Sequence, residues 1–232
     1  MTHSKPVLYH AGNTLPAHRQ LLATFETVAV EALPLEGAEP ALGCDADGLC
    51  VLPGGGAQPY RPPEPRVERA SSRSLLARAC GTGVKVLDAM AGWGTDGLTL
   101  AALGCDVQLV ERNPIVWALL VARHPGAVLG DGFEWIGKGA WPVIYLDPMF
   151  APRGRKGLAK QPLQVLQRVV SADERSVADW VAHARAHAED RVVLKQRAKA
   201  PVVGRPSWQI RGRSVRFDVY QPDARRAETR EG

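Results

Sequence analysis

The fold of this chain is decided by the stretch Val86-Leu87-Asp88-Ala89-Met90-Ala91-Gly92-Trp93-Gly94-Thr95-Asp96. An apolar run ends there in an acid, and a glycine-rich turn then opens a helix. A second apolar run ends in another acid, Glu111. This order predicts a nucleoside pocket at the carboxyl edge of a parallel sheet. The glycines let the backbone pass close to a ligand, because they carry no Cβ that would collide with it.

Short apolar runs alternate with helical stretches from Val84 onward. Helices are predicted near 95–103, 114–123, 132–138 and 173–188, and strands at 84–88, 106–111, 126–130, 142–147 and 190–196. This alternation predicts an α/β, Rossmann-like fold with a mostly parallel sheet and helices on both faces. The tail at 207–220 breaks this pattern, and residues 213–220 alternate polar and apolar side chains, which predicts a C-terminal antiparallel edge hairpin.

The length of the chain fits one α/β domain with an appended piece. We expect residues 1–65 to form a small N-terminal α+β domain that ends in a linker, since four of the seven residues 59–65 are proline. Residues 66–222 are expected to form the Rossmann-like domain, and residues 223–232 a disordered tail. The first helix of that domain is predicted to run from a cap at Ser71 or Ser72 to Ala79.

Composition narrows the class of protein. No apolar run approaches the ~20 residues that span a bilayer, and the first residues lack the apolar core of a signal peptide, so we expect a cytoplasmic protein. The four cysteines form no CxxC pair, which predicts reduced thiols and no metal site. His183 and His187 lie at i and i+4 without an evident third ligand, and they are predicted to be solvated helix residues.

Positive charge is concentrated in two parts of the chain. The net charge is +5, yet residues 191–220 alone contribute +7, which leaves −2 for the rest. A second basic run at 153–160 contains no acid. Such concentration favours a polyanionic partner. Phosphate contacts are therefore expected from Arg153, Arg155, Lys156, Lys195, Arg197 and Arg213.

The glycine turn fits two kinds of cofactor. Gly92 to Gly97 satisfies the G-x-G-x-x-G pattern of dinucleotide sites. However, the glycines do not follow the strand directly, and Asp88 would lie poorly beside a pyrophosphate. An acid there attracts the amino group of a methionine moiety, and Glu111 can accept hydrogen bonds from both ribose hydroxyls. These residues favour S-adenosylmethionine over NAD, with Asp131 placed to accept the adenine amino hydrogens.

A further strand end carries the expected chemistry, in the segment Tyr145-Leu146-Asp147-Pro148-Met149-Phe150. An exocyclic amine is a poor nucleophile because its lone pair is delocalised into the ring. Asp147 and the carbonyl of Pro148 can hold the amine hydrogens and aim the lone pair at a sulfonium methyl, while Phe150 stacks on the extruded base. We therefore predict a methyltransferase with Asp147, Pro148 and Phe150 as catalytic residues.

These segments resemble the signature blocks of the ribosomal small-subunit methyltransferase J family. The resemblance is carried by residues 88–96, 110–114, 145–150, 192–195 and 216–220. It implies a class I S-adenosylmethionine-dependent methyltransferase that modifies a guanine N2 amine, with 16S rRNA or the small ribosomal subunit as partner. Together with Asp88, Gly92 and Gly94, the cofactor contacts then fall on Thr95, Asp96, Glu111, Arg112, Asp131, Gly132 and Asp147.

Three features depart from the pattern of that family. Thr95-Asp96 stands where the family usually has Arg-Asp, and Asp131-Gly132 where it commonly has two serines. The family's Lys-Phe-Gly-Gly-Gly-Arg-Gly stretch is absent, and residues 68–73 stand in its place. An NAD-dependent oxidoreductase, a non-catalytic RNA-binding or assembly factor on the same fold, and a DNA amine methyltransferase are the alternative interpretations.

Overall fold

A computed structural model describes residues 5–12, 19–34, 37, 39–64, 67, 70–148, 165, 169 and 173–223. These residues divide into two compact units. The first unit consists of the described residues within 1–64, 113–125 and 150–172, and the second of those within 65–112, 126–149 and 173–232. No helix in the described ranges is long and apolar enough to cross a membrane.

The first unit contains a four-stranded sheet with the order β2-β1-β3-β4. β1 pairs in parallel with β2 and β3, and β3 and β4 form an antiparallel hairpin. The helix α4 belongs to this unit and packs against β3 and β4. Asn113 caps it by accepting hydrogen bonds from the N–H groups of Ile115 and Val116. The bounds are β1 Val7–Ala11, α1 Arg19–Thr24, β2 Glu26–Val30, β3 Ala41–Asp45, β4 Gly48–Leu52 and α4 Pro114–Val121.

The second unit contains a seven-stranded sheet with the order β10-β11-β9-β8-β5-β6-β7. The strands from β9 to β7 are parallel, and β11 and β10 continue the sheet in antiparallel fashion. This confirms the predicted α/β sheet with an antiparallel edge hairpin. The strands are β5 Lys85–Asp88, β6 Asp106–Glu111, β7 Val128–Leu129, β8 Trp141–Leu146, β9 Ala188–Arg197, β10 Trp208–Arg211 and β11 Val215–Tyr220. The helices are α2 Leu75–Cys80, α3 Thr95–Ala102, α5 Gly132–Ile136 and α6 Val177–His187.

Alternate residues of the central strands enter two separate clusters of buried side chains. Leu87 and Ile144 pack in one cluster with Trp180 of α6. Val86 and Val143 pack in the other with side chains of α2 and α3. Because neighbouring residues of a strand point to opposite faces, each face of the sheet is covered by its own helices.

Helix starts are the least accurate part of the prediction. The first helix of the second unit begins at Leu75, because Ser74 rather than Ser71 or Ser72 accepts the N–H of Ala77 at 3.1 Å. The helix predicted from 173 begins at Val177, where Ser176 and Asp179 form a reciprocal capping box. The strand predicted over 126–130 is only two residues long.

Candidate active site

Three acids predicted for the site follow parallel strands of the second unit. Asp88 closes β5, Glu111 closes β6, and Asp147 comes directly after β8. The carboxyl ends of parallel strands lie at one edge of the sheet, which is where ligands bind in open α/β folds. The structure therefore brings these three carboxylates to the same edge, as predicted.

The glycine turn is tied to the neighbouring strand. Gly92 and Gly94 have φ angles of 54° and 76°, a left-handed region that favours glycine. The N–H of Gly92 donates to Glu111 Oε2 at 2.9 Å, and the N–H of Ala91 donates to the carbonyl of Val110 at 3.0 Å. These bonds place the turn beside the end of β6, where the carboxylate predicted to bind the ribose, that of Glu111, is located.

A third glycine allows α3 to lie directly on β5 and β6. An ideal Cβ on Gly97 would lie 2.2 Å from Leu109 Cδ2 and 2.8 Å from Asp88 Oδ2. Asp88 itself is only 2% exposed. Burial, reinforced by the nearby charges of Asp96 and Asp147, raises the pKa of Asp88 well above its ordinary range.

Lys195 joins two of the acids. Its Nζ lies 2.6 Å from Asp96 Oδ2 and 2.8 Å from Asp147 Oδ2. The hydroxyl of Tyr145 donates to the same Asp96 oxygen at 2.5 Å. Burial raises the pKa of Asp147 to about 6; Lys195 opposes that rise and Asp96 adds to it. We call Asp88, Asp96, Asp147, Tyr145 and Lys195 the carboxylate cluster.

The structure places Lys195 differently from the prediction, which assigned it to RNA phosphates. Leu194 of β9 pairs with Leu146 of β8, so the next residues, Lys195 within β9 and Asp147 after β8, lie side by side. Burial alone would lower the pKa of Lys195, but Asp147 and Asp96 outweigh it and raise that pKa above its ordinary range. The signal in the sequence was an apolar run, Val192-Val193-Leu194, that is followed by a lysine.

Asp131 caps α5 and also forms an ion pair that the sequence analysis missed. Its Oδ1 accepts the N–H of Phe133 at 2.9 Å, and both of its oxygens bind Arg175, at 3.0 and 2.5 Å. Burial would raise the pKa of Asp131, but the bonds from Arg175 and Phe133 outweigh it and lower that pKa. Gly132 is required next to it, because a Cβ there would lie 1.9 Å from the carbonyl oxygen of Ala89.

Two further residues predicted to contact the cofactor are Arg112, which directly follows β6, and Thr95, which begins α3. Arg112 Nη1 forms an ion pair with Asp173 Oδ2 at 2.9 Å. Thr95 is exposed at the first position of α3, and its carbonyl accepts the hydroxyl of Thr99 at 2.7 Å.

The histidines of α6 are packed rather than solvated, which corrects the prediction. The ring of His183 stacks on Phe133 with a centroid distance of 3.9 Å, and its Nε2 lies 2.9 Å from the carbonyl of Phe133. His187 Nδ1 lies 2.9 Å from the carbonyl of His183. Arg175 covers the same Phe133 ring at 4.7 Å, so a cation and aromatic rings lie next to Asp131.

The basic C-terminal segment is partly internal. Arg216 forms a buried ion pair with Asp218 and donates to the carbonyls of Ala198 and Ala200, so it is not a surface cation. Arg191 lies against Asp190 and 5.7 Å from the ring of Trp208. The residues of this segment that carry exposed positive charge are Lys199, Arg205, Arg211 and Arg213.

The register of the last strands places some of these cations near the site. β9 runs parallel to β8, and Val215 of β11 pairs with Arg197 at the end of β9. The turn that carries Arg213 therefore lies at the same sheet edge as Asp147. Phe150, Arg153, Arg155 and Lys156 lie outside the described residues.

The residues at this edge fit S-adenosylmethionine. Its ribose hydroxyls and amino groups are hydrogen-bond donors, and carboxylates are acceptors. The carboxylate cluster holds three acids and one lysine, an excess of negative charge that suits a ligand with a cationic amine and a sulfonium. Asp88, Asp96, Glu111 and Asp147 are the groups that would hold it.

Comparison with known proteins points to a methyltransferase. Residues 64–123 and 134–222 match a family model described as "Putative SAM-dependent methyltransferase". Curated relatives named ribosomal RNA small subunit methyltransferase J also match the chain, and two of them show the extent of the match. The one from Alkalilimnicola ehrlichii is 39% identical over 67% of this chain and 69% of the relative. The one from Pseudomonas aeruginosa is 35% identical over 83% of this chain and 87% of the relative.

A solved structure shares the fold. The crystal structure of a SAM-dependent methyltransferase from Neisseria gonorrhoeae covers 94% of this chain and 96% of its own, with a TM-score of 0.67 and 24% identity. The matched ranges include every acid of the carboxylate cluster and Glu111. The fold, the strand-end acids and the extent of these matches lead to one conclusion: the chain belongs to the ribosomal RNA small subunit methyltransferase J family.

Proposed function

We propose that this protein transfers a methyl group from S-adenosylmethionine to the exocyclic N2 amine of a guanosine in 16S rRNA of the small ribosomal subunit. The observation that carries the proposal is the position of Asp147. Its carboxylate follows β8 at the cofactor edge, and Oδ2 is held by Lys195. Oδ1 has no hydrogen-bond partner among the described residues, so it can accept a hydrogen from a substrate amine.

The role of the chain in this reaction is alignment. The cofactor supplies a methyl group already activated on a sulfonium, so positioning and exclusion of water carry most of the rate enhancement. Asp147 accepts one N–H of the amine and the carbonyl of Pro148 the other, which directs the nitrogen lone pair. The nitrogen must lose a proton as it gains the methyl group. Asp147 is a better base than an ordinary aspartate, because its pKa is raised to about 6.

Binding of the cofactor is proposed to rest on carboxylates at several strand ends. Glu111 is proposed to bind the ribose, Asp88 and Asp96 the amino acid part of the cofactor, and Asp131 the adenine. Carboxylates have about four lone-pair sites, of which Asp131 uses three for Phe133 and Arg175. Stacking of the extruded guanine on Phe150 stays a prediction.

The proposed RNA surface lies at the edge of the sheet next to the site. Arg197, Lys199, Arg211 and Arg213 leave the ends of β9 and β10 at this edge. Arg216 fixes their spacing, because its guanidinium binds Asp218 and also the carbonyls on both sides of Lys199. Phosphate contacts from such a surface position an RNA without reading its sequence. Arg153, Arg155 and Lys156 are also proposed to bind phosphates.

Two coarser proposals follow from the substrate and the chain. We infer that the protein acts in the cytoplasm, where ribosomal RNA would meet it. We also propose that residues 1–65 form a leading domain and residues 66–222 the methyltransferase domain, with α4 of the latter belonging to the first compact unit.

The test is transfer of tritium from methyl-labelled S-adenosylmethionine to unmodified 16S rRNA and to small subunits, with 23S rRNA and duplex DNA as competitors. We expect label in 16S rRNA in one of the two forms. Asp147→Asn should abolish transfer, while Asp106→Asn, at an exposed acid that opens β6, should not. Binding of rRNA without any transfer would favour a non-catalytic assembly factor, and label in DNA would contradict the proposed substrate.

A further inference from the structure

The carboxylate cluster contains a lysine whose position the methyl-transfer chemistry does not by itself require. Lys195 comes from β9, whereas the acids come from β5, α3 and the segment after β8. Its Nζ lies within 2.8 Å of both Asp96 and Asp147. Its side chain is 23% exposed. Because the lysine side chain is largely buried and its ammonium group binds two carboxylates, the ammonium group is held in place. It is therefore not available to bind a phosphate of the RNA.

We propose that Lys195 is a positioning residue that holds the carboxylate of Asp147 at the sheet edge and keeps it ionised to accept the substrate amine. This inference rests on the proposed function. Since Nζ occupies the Oδ2 side of Asp147, it leaves Oδ1 to face the substrate. A protonated Asp147 would instead present a hydroxyl donor on one side and would compete with the amine hydrogens.

Asp96 and Tyr145 set the position of the lysine. The Tyr145 hydroxyl, which is buried on β8, donates to the same Asp96 oxygen that accepts Lys195. Burial, together with Asp96 and Asp147, raises the pKa of Tyr145 well above its ordinary range, so the hydroxyl stays a donor. A continuous series of hydrogen bonds, Tyr145–Asp96–Lys195–Asp147, therefore connects the buried sheet with the site.

The charges around Asp147 predict opposite effects for its neighbours. Asp96 on α3 is a like charge and Lys195 on β9 is the opposite charge, while Asp88 on β5 is a buried acid whose own pKa is raised. Cys80 on α2 faces Tyr145 and Asp96, and burial raises its pKa well above the ordinary range, so it adds no charge. Removing Lys195 should favour protonation of Asp147, whereas removing the charge of Asp96 should disfavour it.

The direct test is a carbon-13 NMR titration of the aspartate carboxyl carbons, with the Asp147 signal assigned from Asp147→Asn. We expect a midpoint near pH 6 in the unaltered protein. Lys195→Met should move it up by roughly one to three pH units, Lys195→Arg should leave it near the original value, and Asp96→Asn should move it down. Loss of packing alone would not shift the midpoint in opposite directions. An unmoved midpoint in folded Lys195→Met would overturn the proposal; if that variant does not fold, an unmoved or raised midpoint in Asp96→Asn would do so.

A kinetic test separates positioning from RNA contact. Lys195→Met should lower kcat at pH 7 by about tenfold or more, with the loss recovering at higher pH and with KM for RNA unchanged. Arg213→Gln, the matched loss of a cation, should raise KM instead. A raised KM with unchanged kcat in Lys195→Met would overturn the proposal in favour of a phosphate contact. The NMR titration needs neither cofactor nor RNA, so absence of rRNA methylation would overturn the proposed function alone.

Discussion

The backbone N–H of Gly92 donates to the carboxylate of Glu111 at 2.9 Å, although the two residues are nineteen positions apart in the chain. This bond connects the glycine turn after β5 with the acid that closes β6. Glu111 is 6% exposed, so its orientation is set by the turn before any ligand binds. The turn and the acid proposed to bind the ribose are therefore one structural unit.

Substitution of Glu111 should weaken cofactor binding. Glu111→Gln keeps an oxygen for Gly92 but loses the charge and one acceptor. A hydrogen bond to a charged group contributes about 1.5–3 kcal/mol, so we expect the Kd for S-adenosylmethionine to rise by about ten- to a hundredfold. Calorimetric titration measures this, with Glu26→Gln, at an exposed position of β2, as control. A Kd within twofold of the original would exclude a ribose contact.

Gly132→Ala should destabilise the second unit. The new Cβ would lie 1.9 Å from the backbone oxygen of Ala89, and a backbone atom cannot move aside as a side chain does. We expect a loss of about 1–3 kcal/mol, measured by denaturant unfolding. Gly37→Ala is the control, since its Cβ would make only an ordinary 3.6 Å contact. Equal stability of the two variants would show that the loops around Asp131 can separate freely.

The buried pair Arg216–Asp218 should behave as a unit. Its side chains are 3% and 0% exposed. Arg216→Met leaves Asp218 buried without its partner, and breaking such a pair costs about 3–5 kcal/mol. The double variant Arg216→Met with Asp218→Leu should lose less than Arg216→Met alone. Denaturant unfolding of the two single variants and of the double variant gives the coupling free energy between Arg216 and Asp218. If the losses of unfolding free energy in the single variants simply add up in the double variant, the pairing is contradicted.

The ion pair between Asp131 and Arg175 should make stability depend on acid pH. The folded pKa of Asp131 lies below its ordinary value of 3.8, so the stabilisation is complete above that value and is lost as pH falls through the folded pKa. Arg175→Met should therefore be less stable than the parent at pH 6, by a margin that shrinks below pH 4. Denaturant unfolding between pH 6 and pH 3 measures the margin. Arg78→Met, at an exposed position, is the control. A loss of unfolding free energy in Arg175→Met that does not change with pH, or that equals the loss in Arg78→Met, would argue against the ion pair.

Binding of 16S rRNA should depend steeply on salt. Removing one cation that binds a phosphate lowers the slope of log K against log salt by about one. Arg213→Gln is expected to show this reduction, because Arg213 is exposed at the site edge. Trp208 and Arg191 lie at the opposite end of β10 and β9, so Arg191→Gln should leave the slope unchanged. Fluorescence anisotropy at several salt concentrations measures both slopes, and identical slopes would contradict the proposed surface.

Local patterns were sufficient for the central strands of the second unit, for the turns after them and for the acids at their ends, but not for the short β7. The run Val86-Leu87-Asp88 and the glycines after it predicted the site edge, because strand ends, turns and their spacing are encoded by neighbouring residues. The start of α4 at Pro114 also agrees with the helix predicted near 114–123. The exact starts of α2 and α6 were wrong, since several adjacent serines and acids could serve as caps and only packing selects among them.

Pairings between distant residues could not be predicted. Lys195 and Asp147 are 48 positions apart, and Arg175 and Asp131 are 44 apart. Such contacts depend on the order and register of strands, which a run of residue types does not reveal. Counting charges along the sequence has the same weakness, because it treats every arginine and lysine as a surface cation. Arg216 is buried against Asp218, and Lys195 lies among carboxylates.

Methylation of guanosine N2 is tested most directly by nucleoside analysis of 16S rRNA after incubation with the protein and S-adenosylmethionine. The RNA would be digested to nucleosides and the methylated product identified by mass spectrometry against authentic standards. We expect N2-methylguanosine, formed by the unaltered protein and absent with Asp147→Asn. A methyl group on a ring nitrogen, on a ribose hydroxyl or on another base would contradict the role given to Asp147, as would normal product from Asp147→Asn.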